Sequence, residues 1–182
     1  MLNAQERILL KQLRGGSKDA LRQVYARYRR ELFTIAVSLL GDLDLAEDCL
    51  QDVFVRLAES AGRLRIRSNL KAFLATCVVN RARDCIRRGA RQVAYAGQVP
   101  DSSAPDPGPV ERSMADEQAA ALFAAMRQLP GPQREVFVLH AQAGLTFREI
   151  ARVQGISVRT VHSRYRYAVE KLRRLLRERV EL

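Results

Sequence analysis

The stretch that decides the fold lies near the end of the chain, where residues 146–169 run TFREIARVQGISVRTVHSRYRYAV. Thr146 and Glu149 have the spacing of a capping box, in which each side chain satisfies a backbone N–H at the start of a helix. Gly155 can adopt the left-handed conformation that ends a helix, and Ser157 is a favourable N-cap for a second one. This order of cap, helix, glycine turn and second cap predicts a helix-turn-helix.

The two predicted helices each have an apolar side. On the first, that side comprises Ile150, Ala151 and Val153. On the second, apolar residues recur at helical spacing and are predicted to face inward: Val158, Val161, Tyr165 and Ala168. The opposite side of the second helix carries groups that can reach phosphates and base edges in a DNA major groove: Arg159, His162, Ser163, Arg166 and Tyr167. An ordinary helical hairpin with a basic solvent face is the alternative. However, residues 157–179 hold eight Lys or Arg against two Glu, and a solvated face usually mixes the signs more evenly.

The whole chain is strongly basic. Its 182 residues carry a formal net charge of +11 with a pI near 10.4, which favours a polyanionic partner, and nucleic acid is the first expectation. The N-terminus has no apolar signal run and no stretch is long enough for a membrane span, so we expect a cytoplasmic protein. Cys49, Cys77 and Cys85 each lie in an apolar helical pattern without zinc-ligand spacing. We therefore expect buried free thiols, no metal and no cofactor.

Composition divides the chain into three parts. Residues 89–112 are rich in Pro, Ser, Asp and Gly and lack helical periodicity, which predicts a flexible linker. Residues 1–88 and 113–182 show helical apolar spacing without convincing strand alternation. Helices are predicted over 6–13, from Ser17 to Gly41, over 44–60, and in a last segment that ends at residue 88. The predicted fold is all-α, with two small helical domains, the C-terminal one containing the helix-turn-helix.

Charge is segregated within the first domain. Residues 42–59 contain six acids and one Arg, whereas residues 63–88 contain eight Lys or Arg and one Asp. An acidic helix beside a basic loop and helix predicts two different partners, because only the basic part suits DNA. Val55 is an apolar residue among the acids, which suggests a protein-docking patch, with a solvated helix face as the alternative. The residues that share this outward side are Asp48, Gln51, Asp52, Val55 and Glu59.

Three stretches, taken in order, resemble the bacterial RNA polymerase sigma factors of the extracytoplasmic-function class. Residues 46–57, AEDCLQDVFVRL, are similar to the family's segment that binds the polymerase clamp helices. Residues 73–88, from Phe73-Leu74 through Asn80 and Asp84 to Arg87-Arg88, are similar to the helix that recognises and opens the −10 promoter element. Residues 129–139, LPGPQREVFVL, followed by the helix-turn-helix, are similar to the domain that binds the −35 element.

The resemblance implies a transcription initiation factor that binds core RNA polymerase, directs it to specific promoters and helps to open the DNA. Residues 1–88 would then correspond to sigma region 2 and residues 113–182 to sigma region 4. It implies core polymerase, duplex and single-stranded promoter DNA, and an anti-sigma factor as candidate partners. Recognition and melting of the −10 element would involve Arg63, Arg65, Arg67, Lys71, Asn80, Arg83, Arg87 and Arg88.

Two rival hypotheses come from the residues alone. A promoter-bound repressor or activator would use only the helix-turn-helix, with the first domain serving ligand binding or dimerisation, but it leaves the charge segregation unexplained. A nucleic-acid enzyme has no support, because the sequence offers no nucleophile with a base, no carboxylate pair in a pocket and no glycine-rich phosphate loop.

Overall fold

A computed structural model of the chain describes residues 4–66, 69–95 and 117–180. These residues form α-helices joined by short loops and one 3₁₀ turn, and no strand occurs within those ranges. In chain order the helices are α1 (Ala4–Arg14), α2 (Lys18–Leu40), α3 (Leu43–Glu59), α4 (Leu70–Tyr95), α5 (Glu117–Arg127), α6 (Gly131–Ala141), α7 (Phe147–Gln154) and α8 (Val158–Val180), with the 3₁₀ turn at Ala61–Arg63. The predicted all-α fold is confirmed.

Local capping chemistry sets the helix ends of the N-terminal half. The Ser17 hydroxyl accepts a hydrogen bond from the Ala20 N–H at 3.2 Å and starts α2. Gly41 ends α2 with a φ of 71°, a left-handed conformation that a side chain would disfavour. Asp42 then starts α3 by accepting from the Leu45 N–H at 2.9 Å. The predicted ends of α2 and the start of α3 are therefore confirmed to within one or two residues.

Helix α2 is the centre of the N-terminal half, because α1, α3 and α4 all pack against it. Its buried stripe includes Leu32 and Ile35, which meet Leu50 of α3 and Leu74 of α4 in the same fully buried core. Burying each such side chain contributes about 1.5–3 kcal/mol. The packing fixes α3 and α4 side by side, with their outer faces turned to solvent.

Capping also builds the helix-turn-helix of α7 and α8. Thr146 Oγ1 accepts from the Glu149 N–H at 3.3 Å, and Glu149 Oε2 accepts from the Thr146 N–H at 2.8 Å, so the capping box is confirmed. Gly155 ends α7 with a φ of 66°. Ser157 Oγ accepts from the Thr160 N–H at 3.0 Å and starts α8.

Two residues that the sequence places on the apolar sides of α7 and α8 are exposed in the structure. Val161 and Ala168 are fully buried as expected, but Val153 and Val158 are 38% and 39% exposed. The buried arc of α8 is centred near Val161 and Ala168, and Val158 lies about 70° from that centre at about 100° per residue. Apolar spacing therefore identified the buried side of α8 but not how far that side extends around the helix.

The predicted linker starts too early. Helix α4 continues to Tyr95, so residues 89–95 are helical. The remainder of the predicted linker, residues 96–112, lies outside the described residues. The run GARQVAY at 89–95 contains no proline and is compatible with a helix, whereas the prediction placed the boundary at its glycine.

The two halves of the chain pack against each other, because α5 and α6 contact α2, and α6 also contacts α4. Ser38 of α2 is only 2% exposed, and its hydroxyl accepts from Gln142 Nε2 at 3.0 Å. Arg127 of α5 lies over Gly41, where an added Cβ would come within 3.4 Å of the arginine side chain. Buried residues of both halves therefore form one continuous hydrophobic cluster.

Candidate nucleic-acid and protein interfaces

Helix α8 presents the predicted DNA-binding residues on one side. Arg159, His162, Arg166 and Tyr167 are exposed, and Ser163 is half-buried. The Arg166 guanidinium lies over the Tyr167 ring at 5.1 Å, a cation–π contact that orients both groups. The Glu170 carboxylate is 3.9 Å from Arg166. This exposed ion pair is too weak to prevent the arginine from contacting a phosphate or a base. The structure therefore brings all five residues together.

An aromatic cluster sets the angle between α7 and α8, and sequence reasoning missed it. The rings of Phe147 and His162 meet edge to face at 4.3 Å, and Phe147 also contacts His140 at 4.4 Å and Tyr165 at 5.2 Å. His140 Nδ1 is hydrogen-bonded to the Leu145 carbonyl at 2.8 Å. His162 is therefore both an exposed residue on the outer side of α8 and a contact between the two helices.

The acidic side of α3 is exposed with one exception. Asp48, Gln51, Val55 and Glu59 face solvent, and Val55 is 56% exposed. Asp52 instead accepts a hydrogen bond from Arg81 Nε of α4 at 2.6 Å, and the same carboxylate forms an ion pair with Arg81 Nη2. Its side chain remains 45% exposed, so a partner can still reach it.

Asp48 and Asp52 share the outward side of α3, but only Asp52 is paired with Arg81. Burial has the largest single effect on the pKa of Arg81 and lowers it, but the hydrogen bond to Asp52 and the Coulombic attraction of nearby groups together outweigh burial, so the net shift of that pKa is upward. The pair links α3 to α4, and 29 residues of sequence separate its members. No local pattern could have indicated it.

The basic residues that the resemblance assigned to the −10 element occupy different environments. Arg63, Arg65, Asn80, Arg87 and Arg88 are exposed. Lys71 is half-buried and its ammonium contacts Glu31 at 2.6 Å. Arg87 is paired with Asp84, whose pKa its hydrogen bond lowers. Arg67 lies outside the described residues.

Among these basic residues, Arg83 has the environment that differs most from the predicted one, because it is paired with an acid of the second half. Its Nε donates to Glu135 Oε1 at 3.0 Å and its Nη2 to Glu135 Oε2, so a helix of the first half is bound to α6 of the second. Gln154 Nε2 also donates to Glu135, at 3.1 Å. The hydrogen bond to Glu135 raises the pKa of Arg83. In this arrangement Arg83 serves the contact between the halves.

The cysteines are free, with Cys49 buried and the other two half-buried. Burial raises the pKa of Cys49 to about 12 and that of Cys77 to about 11, so both thiols are protonated at neutral pH. Among the described residues there is no grouping of His, Cys, Asp and Glu that could hold a metal ion. Within the same part of the chain, none of the helices combines the length and apolarity needed to cross a membrane.

Comparisons with known proteins match both halves. A family model described as Sigma-70 region 2 matches residues 24–92, and one described as Sigma-70, region 4 matches residues 119–172. The RNA polymerase sigma factor CarQ of Myxococcus xanthus is 31% identical over 175 residues, which cover 93% of this chain and 96% of CarQ. The ECF RNA polymerase sigma factor EcfG of Rhodopseudomonas palustris is 31% identical over 159 residues, 87% of this chain and 86% of EcfG.

Two solved structures are also similar to this chain over most of its length. The sigma factor RpoE in complex with the anti-sigma factor NepR from Bartonella quintana is similar with a TM-score of 0.72 and 27% identity, over 88% of this chain and 98% of RpoE. CnrH in complex with the cytosolic domain of CnrY is similar with a TM-score of 0.68 and 28% identity, over 94% of this chain and 97% of CnrH.

Proposed function

The chain belongs to the sigma-70 family of RNA polymerase sigma factors, in its extracytoplasmic-function class, and from this premise we propose which of its residues perform each step of initiation. As a sigma factor it binds core RNA polymerase, directs the enzyme to promoters through the −10 and −35 elements and helps to open the DNA. The observation that carries the residue assignment is the capped helix-turn-helix, whose exposed cationic and polar side lies on α8.

For the −35 element we assign α8 to the major groove, with its outer side against base edges and phosphates. The residues in this role are Arg159, His162, Ser163, Arg166 and Tyr167. The cation–π contact with Tyr167 restricts the Arg166 guanidinium before DNA arrives, which lowers the entropy lost on binding. Lys171, Arg173 and Arg174 lie further along α8 and at most contact phosphates.

Replacing Arg166 with alanine is expected to weaken binding to a duplex that carries the −35 element. If the guanidinium contacts a base, the loss is about 1–3 kcal/mol and specificity relaxes at one position. If it contacts only phosphate, all sequences weaken alike and the salt slope falls by about one unit. Fluorescence anisotropy at several salt concentrations separates the two outcomes. Arg30→Ala on the exposed side of α2 is the matched control, and wild-type affinity and salt slope of the Arg166→Ala variant on every duplex would remove Arg166 from the site.

For the −10 element we assign the basic loop and the exposed side of α4. The cationic residues Arg63, Arg65, Arg67, Lys71, Arg87 and Arg88 attract the backbone of the single strand, and Asn80 hydrogen-bonds a base. Arg83 joins them once it separates from Glu135 of the second half. This assignment is supported by the exposure of Asn80, Arg87 and Arg88 and by the concentration of positive charge between residues 63 and 88.

For core polymerase we assign the acidic side of α3 to the clamp helices. Asp48, Gln51 and Glu59 supply charge and hydrogen bonds, Val55 supplies apolar contact, and Asp52 contributes with the part of its carboxylate that Arg81 leaves exposed. Complementary charge across such an interface accelerates association and excludes wrong partners. An anti-sigma factor is a further candidate partner, because the similar structure of RpoE is a complex with one.

We also propose that the protein acts in the cytoplasm, where core polymerase works, and that it catalyses no reaction itself. In vitro transcription with core enzyme on genomic fragments tests the function and identifies promoters. The rival hypothesis of a repressor or activator that uses only the helix-turn-helix predicts no co-purification with core polymerase. Promoter-specific transcripts that depend on the protein would exclude it.

The division of the chain remains a proposal as well, with a region 2 domain in residues 1–88 whose last helix extends to Tyr95, a linker in residues 96–112 and a region 4 domain in residues 113–182. Limited proteolysis is expected to cut first within residues 96–112 and to leave two helical fragments, because Pro, Ser and Gly dominate that composition. Contacts such as Arg83–Glu135 and Ser38–Gln142 should keep the fragments together at low salt. A first cut within residues 17–88 would contradict this division.

A further inference from the structure

The first residue of α8, Val158, is an apolar residue that the packing of the second half leaves partly exposed. Val158 is 39% exposed. In the part of α8 whose side chains the structure describes, the other exposed large apolar residue is Tyr167, which already belongs to the set assigned to the −35 element. Val158 has no role in that assignment, although it lies on the same helix.

Capping fixes the position of Val158 at the start of α8. Ser157 Oγ accepts from the Thr160 N–H at 3.0 Å, and the hydroxyl oxygens of Ser157 and Thr160 are 2.8 Å apart. The Ser157 carbonyl accepts from the Val161 N–H at 3.1 Å, which closes the first turn. A β-branched side chain in a helix has one strongly preferred rotamer. The two methyl groups of Val158 are therefore presented in a nearly fixed direction.

Val158 also lies beside a residue of the proposed DNA-binding side. Residues four apart are neighbours on a helix surface, so Val158 is only about 40° around α8 from His162. His162 is exposed, and its ring is held edge to face against Phe147 at 4.3 Å. In a helix-turn-helix, the N-terminal residues of the second helix contact base edges. The methyl groups of Val158 are therefore at the border of the surface that would face the groove.

The chemistry of Val158 suits one feature of the major groove. Every base pair presents hydrogen-bonding groups there, but only thymine adds a C5 methyl group. A valine cannot hydrogen-bond a base edge through its side chain, whereas it can remove a thymine methyl from water. Arg152 and Arg159, the nearest charged residues along the sequence on either side, are both exposed cations. This positive surrounding favours DNA over a protein as the partner of Val158.

We propose that Val158 contacts the C5 methyl group of one thymine in the −35 element and is a specificity-determining residue of α8. The proposal rests on the assignment of α8 to the −35 major groove, and it adds a residue that the sequence places in the core. Because the contact is apolar, it distinguishes thymine from other bases at one position and adds nothing to the salt dependence of binding.

Deoxyuridine tests this contact, because it differs from thymidine only in lacking the C5 methyl group. The holoenzyme is bound to DNA of a promoter that it transcribes, with each thymine of the −35 element, on either strand, replaced in turn. At one position the wild-type affinity should fall about three- to fivefold, as expected for one methyl group that loses its contact. Val158→Ala should show the same loss on unmodified DNA and no further loss at that position.

Two further variants control for folding and for general loss of apolar surface. Val153→Ala on α7 is the matched control, because Val153 is 38% exposed, and it should change neither the affinity nor the effect of any deoxyuridine. Circular dichroism should show wild-type helical content and melting for Val158→Ala, since alanine favours a helix. If that variant folds poorly, Val158→Thr keeps the branched shape and should reduce the deoxyuridine effect at the same position.

Three results would overturn the proposal. The first is a wild-type holoenzyme that responds to no deoxyuridine, and the second is a Val158→Ala variant that responds to each deoxyuridine as the wild type does. The third is a loss of affinity by Val158→Ala that no deoxyuridine reproduces, which would indicate a protein contact or a structural role. Wild-type binding that is unchanged when the whole −35 element is scrambled would instead contradict the assignment of α8 itself, which is a separate outcome.

Discussion

A chain in which Asp48 and Val55 are both replaced by lysine is expected to lose its affinity for core RNA polymerase by at least about a hundredfold. Both side chains lie on the exposed side of α3, and neither contributes to the buried core. If this side meets a basic surface of the polymerase, the two lysines place like charges opposite each other. Such juxtaposition across an interface costs several kcal/mol, and about 1.4 kcal/mol corresponds to a factor of ten.

The double change should leave the free protein folded. Surface substitutions away from caps and partners usually change the free energy of unfolding by about 0.5 kcal/mol or less. Asp52 is deliberately left in place, because a lysine there would face Arg81 and disturb the contact between α3 and α4. Helical content and thermal melting by circular dichroism should therefore match the wild type, and binding to −35 duplex should be unchanged.

Co-purification and surface plasmon resonance with core polymerase measure the expected loss. Asp19→Lys on α2 repeats the change of an acid to lysine at another exposed site, where the side chain is 80% exposed, and should keep wild-type affinity. Wild-type retention of core enzyme by the double variant would mean that the acidic side of α3 is only a solvated surface. The assignment of Asp48, Gln51, Asp52, Val55 and Glu59 to polymerase would then be wrong.

Local chemistry explains what could be predicted from the sequence. The N-caps at Ser17 and Thr146 and the left-handed turn at Gly155 depend on neighbouring residues, and each was found at its expected position. The exposed side of α8 could be predicted as well, because helical spacing also depends only on neighbouring residues. The end of α4 at Tyr95 was not predicted, because the helix end at residue 88 was placed where the composition changes and not at a helix stop signal.

Contacts between distant segments could not be predicted in this way. Arg81 and Arg83 are two residues apart on one basic helix and look equivalent in the sequence. The structure pairs the first with Asp52 in the same half and the second with Glu135 in the other half. Which acid each arginine meets depends on how whole helices pack, and no periodicity of a single helix contains that information.

Neutralising Glu135 is expected to tighten binding of the free protein to fork-junction promoter DNA at least about tenfold. Arg83 cannot bind Glu135 and DNA with the same donors, so the pair in α4 and α6 competes with the −10 strand. Hydrogen bonds to charged groups contribute about 1.5–3 kcal/mol each, and the 38% exposure of the Arg83 side chain reduces that value by solvent screening. Glu135→Gln keeps the shape of the side chain and an oxygen for Gln154 Nε2, and removes the charge that holds Arg83.

A double-mutant cycle decides whether Arg83 is the cause. Arg83→Ala alone should weaken binding to the fork, and adding Glu135→Gln to it should produce no further tightening, because the competing donor is gone. Anisotropy of labelled fork DNA with each of the four proteins gives the coupling energy directly. If Glu135→Gln tightened binding equally with and without Arg83, the effect would be a general loss of negative charge, and Arg83 would leave the set of −10 contacts. If neither change altered binding, the ion pair would be a purely structural contact between the two halves, and −10 recognition would depend on Asn80 and the exposed arginines alone.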